Sequence, residues 1–167
     1  MWPPLGGQQQ IFSNIRGKAL IADDIVASAS VGTTPAPFAW PNVRGADTQY
    51  DPVTGVITFE EGGFFTSVAS WRVVGASARQ FYADAEFSID GGVTWIRGTN
   101  SAREVIANTT SQTLPFPFSG YFAAGVKLRF VIWASGSGVT IQTAASNGST
   151  SPAGRLTYSH IVGTRLP

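Results

Sequence analysis

The chain has 167 residues and a mass of 17.6 kDa, the size of one ordinary domain. Hydrophobic residues make up 43% of it and charged residues only 13%, which excludes an intrinsically disordered chain. Eleven basic residues nearly balance ten acidic ones, so the net charge of +1 lacks the positive excess that a nucleic-acid-binding surface needs. Cysteine is absent and histidine occurs once, which excludes disulfides, thiolate metal sites and sites built from several imidazoles.

Membrane and targeting signals are not expected either. No run reaches 18 consecutive apolar residues, and the first ten residues lack the basic and apolar regions of a signal peptide. We therefore expect no membrane partner, no nucleic-acid partner and no cofactor. Because soluble monomers normally carry more charge than this chain does, the composition also predicts that other subunits cover much of its surface.

The N-terminal residues 1–24 differ in composition from the rest of the chain. Their beginning is rich in Pro and Gly and contains a Gln triplet. We predict an extended arm over residues 1–24 and a folded domain over residues 25–167. The arm would dock on a neighbouring subunit or on a capsid through its apolar side chains Trp2, Leu5, Ile11 and Phe12.

From residue 25 onward, short runs of Val, Ile, Phe, Thr, Tyr and Trp alternate with Gly and Pro turns, which is typical of an all-β domain. Pro115 and Pro117 place one strand at a sheet edge or a bulge, because proline cannot donate a ladder hydrogen bond. About ten strands at this spacing predict a sandwich, jelly roll or barrel. In chain order they are Ile25–Val31, Val56–Phe59, Phe64–Val74, Arg79–Ile89, Val93–Arg97, Arg103–Ala107, Leu114–Phe122, Val126–Trp133, Val139–Thr143 and Leu156–Val162.

One segment carries a family resemblance. Tyr50–Phe59 reads Tyr-Asp-Pro-Val-Thr-Gly-Val-Ile-Thr-Phe and is followed by Gly63-Phe64-Phe65, which resembles a characteristic segment of the C1q/TNF-like jelly rolls. The turns at Asp90–Gly92 and Ala124-Gly125 follow in an order compatible with that family. The resemblance implies an all-β jelly-roll sandwich that assembles as a homotrimer around a three-fold axis.

A small β domain with an N-terminal arm and little charge is also similar to virion proteins of tailed bacteriophages. This resemblance implies a trimeric capsid decoration protein that binds the major capsid protein or other virion proteins. It would be made in the host cytoplasm and reside on the capsid surface. The alternative is a trimeric fibre tip that presents the polar loops 98–102, 108–113 and 144–153 to a host-surface glycan.

The segment Ser88–Trp95 matches the Asp-box pattern S-x-D-x-G-x-T-W. In that pattern the aspartate binds turn amides, glycine supplies a positive φ and tryptophan packs beneath the turn. The pattern is familiar from β-propellers, but one copy in a chain of this length cannot build a propeller. We interpret it as a structural hairpin whose defining residues are Ser88, Asp90, Gly92, Thr94 and Trp95.

No set of side chains in the sequence has the spacing of a catalytic site. Asp23-Asp24 and Glu60-Glu61 are adjacent pairs, which point to opposite faces of a strand. Asp84 and Glu86 share a face, but an ion pair with Arg79 or Arg97 across the hairpin explains them better than glycoside hydrolysis does. A calcium site at Asp47 and Asp51 would need further ligands that the sequence does not offer. We therefore expect that the protein is not an enzyme.

Twenty aromatic residues are more than one face of each strand in a single sandwich core would need. We expect the surplus to lie between protomers, where aromatic side chains concentrate. The residues predicted for the trimer interface are Phe116, Phe118, Tyr121, Phe122, Tyr158 and His160.

Overall fold

The computed structural model describes residues 18–23, 29–44, 49–75, 79–98, 103–107, 111–142 and 154–163. These residues form thirteen strands in two sheets, and every pairing between strands is antiparallel. The strands are β1 (Lys18–Asp23), β2 (Ala29–Ser30), β3 (Ala36–Phe38), β4 (Asn42–Arg44), β5 (Ile57–Thr58), β6 (Gly63–Gly75), β7 (Arg79–Ser88), β8 (Ile96–Arg97), β9 (Arg103–Ala107), β10 (Gln112–Phe122), β11 (Lys127–Ala134), β12 (Val139–Ile141) and β13 (Gly154–Val162).

The first sheet, here the β6 sheet, has the order β2-β12-β6-β13-β1-β4, and β10 also pairs with β6. Along β6 the burial alternates strictly, because successive side chains of a strand point to opposite faces. The predicted alternation of Phe64–Val74 is confirmed. Among the described strands β10 pairs with β6 alone, so Pro115 and Pro117 lie on a strand at the edge of the sheet, as predicted.

The second sheet, here the β7 sheet, has the order β3-β11-β7-β8, with β5 paired to β11 and β9 paired to β7. Its centre is the long pairing of β11 with β7, which runs from Lys127 opposite Ser88 to Ala134 opposite Phe81. Residues opposite each other in an antiparallel pair point to the same side of the sheet. This register therefore decides which side chains of β7 and β11 meet on the outer surface.

Aromatic rings fill the space between the two sheets. Trp40 and Trp71 are fully buried with ring centroids 5.5 Å apart, and Phe130 meets Trp40 edge to face at 5.8 Å. Near one end, Phe59 stacks on Phe122 at 4.7 Å. The side chains from the inner faces of both sheets thus form one core, which is what a two-layer β-sandwich requires.

The Tyr50 hydroxyl fixes the chain that leads into this core. It accepts a hydrogen bond from the Trp40 amide at 2.7 Å and donates one to the Trp40 carbonyl at 3.1 Å. Burial raises the pKa of Tyr50 to about 12. The phenol therefore keeps its proton at physiological pH and can serve both bonds at once.

Two expectations about the N-terminal part need correction. The strand Ile25–Val31 was predicted to be the first, but only Ala29–Ser30 of that range is a strand among the described residues. The first described strand is Lys18–Asp23, which lies between β13 and β4 and pairs with β13 along its whole length. Residues 18–23 therefore belong to the sandwich, although the sequence analysis placed them in the arm.

Candidate functional site

The outer face of the β6 sheet carries three neighbouring rows of uncharged side chains. Each row crosses from β10 through β6 to β13, and we call the nine residues together the assembly face. The rows are Tyr121, Phe64 and Ile161; Ser119, Thr66 and Ser159; and Pro117, Val68 and Thr157.

Three large apolar side chains stand out on the assembly face. Phe64 and Val68 are each 46% exposed, and Tyr121 is 43% exposed. The Tyr121 hydroxyl donates to the Gly163 carbonyl at 2.8 Å, which holds its ring against the sheet. Exposed apolar side chains grouped in three rows without a charged side chain are typical of a surface that another protein covers.

The structure corrects five of the six residues predicted for a trimer interface. Phe116, Phe122, Tyr158 and His160 are at most 9% exposed, and Phe118 packs against the same core. The physical reason is register. The even-numbered residues of β10 and β13 face the other sheet, so only the odd-numbered ones, Tyr121 among them, face outward.

His160 lies inside the chain's own aromatic core. Its ring meets Phe59 at 5.1 Å between centroids and packs over Gly63, where an added Cβ would come within 2.7 Å of Nε2. With 1% of its surface exposed, it is positioned neither for a subunit interface nor for a catalytic role.

The outer face of the β7 sheet carries charged and aromatic side chains instead. The Arg129 guanidinium donates to Glu86 Oε2 through Nε at 2.9 Å and Nη2 at 2.8 Å, and it stacks 3.9 Å over the Trp95 ring. Arg97 reaches Asp84 and Glu86, each at 3.5 Å, and lies over Trp133. The cross-strand ion pair expected at Asp84 and Glu86 therefore forms with Arg97.

Asp51 shapes the turn before β5. Its Oδ1 accepts the Val53 amide at 2.9 Å and its Oδ2 accepts the Thr54 hydroxyl at 2.6 Å. The Thr54 hydroxyl and the Val53 amide hold the pKa of Asp51 below its usual value. Gly55 closes the turn with φ 73° and donates its amide to the Asp51 carbonyl.

The Asp-box residues come together in one hairpin between β7 and β8. Asp90 accepts the Ser88 hydroxyl at 2.7 Å and the Thr94 amide at 2.9 Å. The Thr94 hydroxyl and amide, followed by Ser88, lower the pKa of Asp90 far below its usual value. Trp95 lies beneath the turn, where its Nε1 donates to the Gly92 carbonyl at 3.1 Å.

These two turns border a cleft of about 620 Å³ on the outer side of the β7 sheet. Lys127 and Arg129 of β11 line it together with Thr58 of β5, while Pro37 and Ala39 line it from the chain around β3. Lys127 lies opposite Thr58 and opposite Ser88 in the two ladders that flank β11. The cleft thus lies over β11, between β5 and the Asp-box hairpin.

The remaining expectations concern metal binding, membrane spans, the N-terminal arm and the polar loops. Within the described ranges, no group of three or more His, Asp and Glu side chains could hold a metal ion. In the same part of the chain, no helix has the length and apolarity needed to cross a membrane. The arm residues Trp2, Leu5, Ile11 and Phe12 lie outside the described residues, as do 99–102, 108–110 and 144–153 of the predicted glycan loops.

Three solved structures resemble this fold over most of their length. Eiger TNF from S. frugiperda has a TM-score of 0.60 at 9% identity, covering 89% of this chain and 94% of its own. The globular domain of zebrafish complement 1qA has a TM-score of 0.56 at 11% identity, covering 90% and 99%. Murine APRIL has a TM-score of 0.54 at 8% identity, covering 88% and 100%. The fold is a C1q/TNF-like jelly roll.

At these identities the likeness shows the fold alone. No protein-family model and no curated protein matches the sequence. The three solved structures confirm the jelly-roll fold that the resemblance of the Tyr50–Phe65 segment predicted.

Neither the assembly face nor the cleft is among the sites predicted from the sequence. For the assembly face a signal was present, because the alternation of β6 places Phe64 and Val68 on one face. For the cleft no local signal exists. Asp51 and Lys127 are far apart in sequence, and only the pairing of β5 with β11 brings the turn of Asp51 close to the strand of Lys127.

Proposed function

We propose that this protein is a structural virion protein that forms a homotrimer and decorates a bacteriophage capsid. The observation that carries the proposal is the assembly face, whose three rows hold no charged side chain and whose large apolar side chains are Phe64, Val68 and Tyr121. Water solvates such a face poorly, so its burial against other copies of the chain is favourable.

The contrast between the two sheets indicates which surface meets the other protomers. The β7 sheet keeps its charges on the outside, where Arg97 and Arg129 pair with Asp84 and Glu86. The β6 sheet has no charged side chain in the three rows of the assembly face. In the proposed trimer the three assembly faces meet around the axis and the β7 sheets face solvent.

A trimer of this kind acts by binding and needs no catalytic group. If it binds the assembled capsid more tightly than free capsid subunits, mass action favours the assembled shell. Residues 1–17 precede the first described strand, and the proposal assigns the attachment to the apolar side chains Trp2, Leu5, Ile11 and Phe12.

The number of copies of the chain per purified virion tests the proposal. Decoration predicts hundreds of copies per virion. Deletion of residues 1–12 should remove the trimer from the virion. The deletion should leave the free trimer folded. A handful of copies at a vertex or tail would instead favour the receptor-binding alternative, and absence from virions would contradict both.

A further inference from the structure

The cleft over β11 contains a cation, Lys127, with which no acidic side chain among the described residues forms an ion pair. Arg129 is held by Glu86 on one side and by the Trp95 ring on the other. Lys127 takes part in no ion pair within the described residues, and its ammonium group lies beside the Gly92 backbone. Lys127 therefore attracts an anionic group into the cleft.

Hydrogen-bonding groups for hydroxyls lie around this cation. The lowered pKa of Asp51 keeps its carboxylate ionised and able only to accept, and each oxygen retains lone pairs beyond those used in the turn. The Thr58 hydroxyl comes from the strand next to Lys127. A ligand with both an anionic group and several hydroxyls would satisfy these groups together.

The remaining lining suits the carbon skeleton of such a ligand. Trp95 is partly exposed, and Pro37 and Val56 add apolar surface. A volume of about 620 Å³ is within the range of sites that bind small molecules, which are concave and combine apolar walls with a few polar groups. The Asp51 carboxylate at the border repels other negative charges, so the cleft favours a ligand with one negative charge, held by Lys127, over a ligand with two.

We propose that this cleft binds a sugar unit that carries a carboxylate, with the carboxylate on Lys127 and the hydroxyls on Asp51 and Thr58. The sugar's C–H face lies against Pro37 and Val56. This inference does not depend on capsid decoration, because the cleft lies on the opposite sheet from the assembly face. In the proposed trimer, the sugar would bind on the side that faces away from the axis.

Calorimetric titration of the full chain with galacturonate, a sugar with one carboxylate, tests the proposal, with its methyl ester as the probe of the same shape without charge. We expect saturable binding of the acid and at least about tenfold weaker binding of the ester, equal to about 1.4 kcal/mol. In spectra of the isotope-labelled chain, the amide shifts should be confined to residues 51–58, 91–95 and 127–129.

Variants of the same chain separate Lys127 from general charge. Lys127→Gln should raise the dissociation constant about tenfold, and Lys127→Arg should restore most of the affinity. Arg155→Gln removes one positive charge from an exposed position on the other sheet and should leave affinity unchanged. Equal binding of acid and ester, equal binding of inorganic phosphate, or no binding of the acid at millimolar concentration would each overturn the proposal.

Discussion

Gly55 and Gly91 both have a positive φ, 73° and 76°, but they differ in what surrounds them. A Cβ on Gly55 would lie 2.3 Å from the Phe38 carbonyl oxygen, whereas a Cβ on Gly91 would meet nothing within 4 Å. The glycine at position 55 therefore serves two purposes, backbone conformation and close approach to β3. At position 91 only the conformation matters.

This difference predicts unequal costs for the same substitution. Gly91→Ala should lower the free energy of unfolding by about 1–2 kcal/mol, the cost of a left-handed conformation in an L-residue. Gly55→Ala should lower it by a further ~1–3 kcal/mol, because the Phe38 backbone must also move. Denaturant unfolding of both variants measures this, and equal losses would contradict the close packing at Gly55.

Asp90 predicts a pH-dependent contribution of the hairpin to stability. Its folded-state pKa lies below the ordinary value of 3.8, so its stabilising effect is complete above pH 3.8 and is lost as pH falls towards the folded-state pKa. Asp90→Asn should therefore lower the thermal midpoint at pH 7. The difference from the natural chain should shrink below pH 3.8, and a difference that stays constant down to pH 2 would show that the carboxylate is not responsible.

At the scale of single elements, strands with a clear alternation were predictable. Phe64–Val74 and Val126–Trp133 were placed to within one residue at each end, because local sequence alone determines their pattern. Lys18–Asp23 was missed because it is held by its pairing with β13, about 140 residues further along the chain. Val93 and Thr94 were expected in a strand, but their amides bind Asp90, so β8 begins only at Ile96.

The pairing of β7, β8 and β11 leads to a prediction for their outer surface. The Asp84 side chain is 1% exposed. The Arg97 side chain, which extends from β8, lies 3.5 Å from its carboxylate. Arg97→Gln should lower the free energy of unfolding by about 1–2 kcal/mol, because a buried carboxylate loses a cation. Since Asp84→Asn removes the charge that needs this cation, the double variant should recover part of the loss.

Thermal unfolding of the two single variants and the double variant measures the coupling. Lys127→Gln is the control, since it removes a cation of the same sheet that takes part in no ion pair among the described residues, and it should change stability by less than about 0.5 kcal/mol. An Arg97→Gln variant as stable as this control would mean that Asp84 does not depend on Arg97.

At the scale of the whole molecule, the two sheets present different outer surfaces. One is uncharged around Phe64 and Val68, and the other carries the paired charges of Glu86 and Arg129. Most of the residues that the sequence predicted for an aromatic interface lie in the core, because the inner face of a sandwich attracts aromatic residues as an interface does. Only the register of β10 against β6 distinguishes Tyr121 from Phe118 and Phe122.

A matched pair of substitutions tests which surface forms the trimer. Val68→Asp places a charge on the middle strand of the assembly face, and we expect it to convert the trimer to monomer or aggregate. Val93→Asp introduces the same charge at an 81% exposed hairpin position and should leave the trimer intact. Size-exclusion chromatography with light scattering gives both masses, and dissociation by Val93→Asp but not by Val68→Asp would contradict the assignment of the face.

Sedimentation equilibrium of the unmodified chain at micromolar concentration is the most direct measurement. The account predicts one species of three times 17.6 kDa. A well-dispersed species of 17.6 kDa at that concentration would contradict it, because the assembly face would then be stable in water without a partner copy.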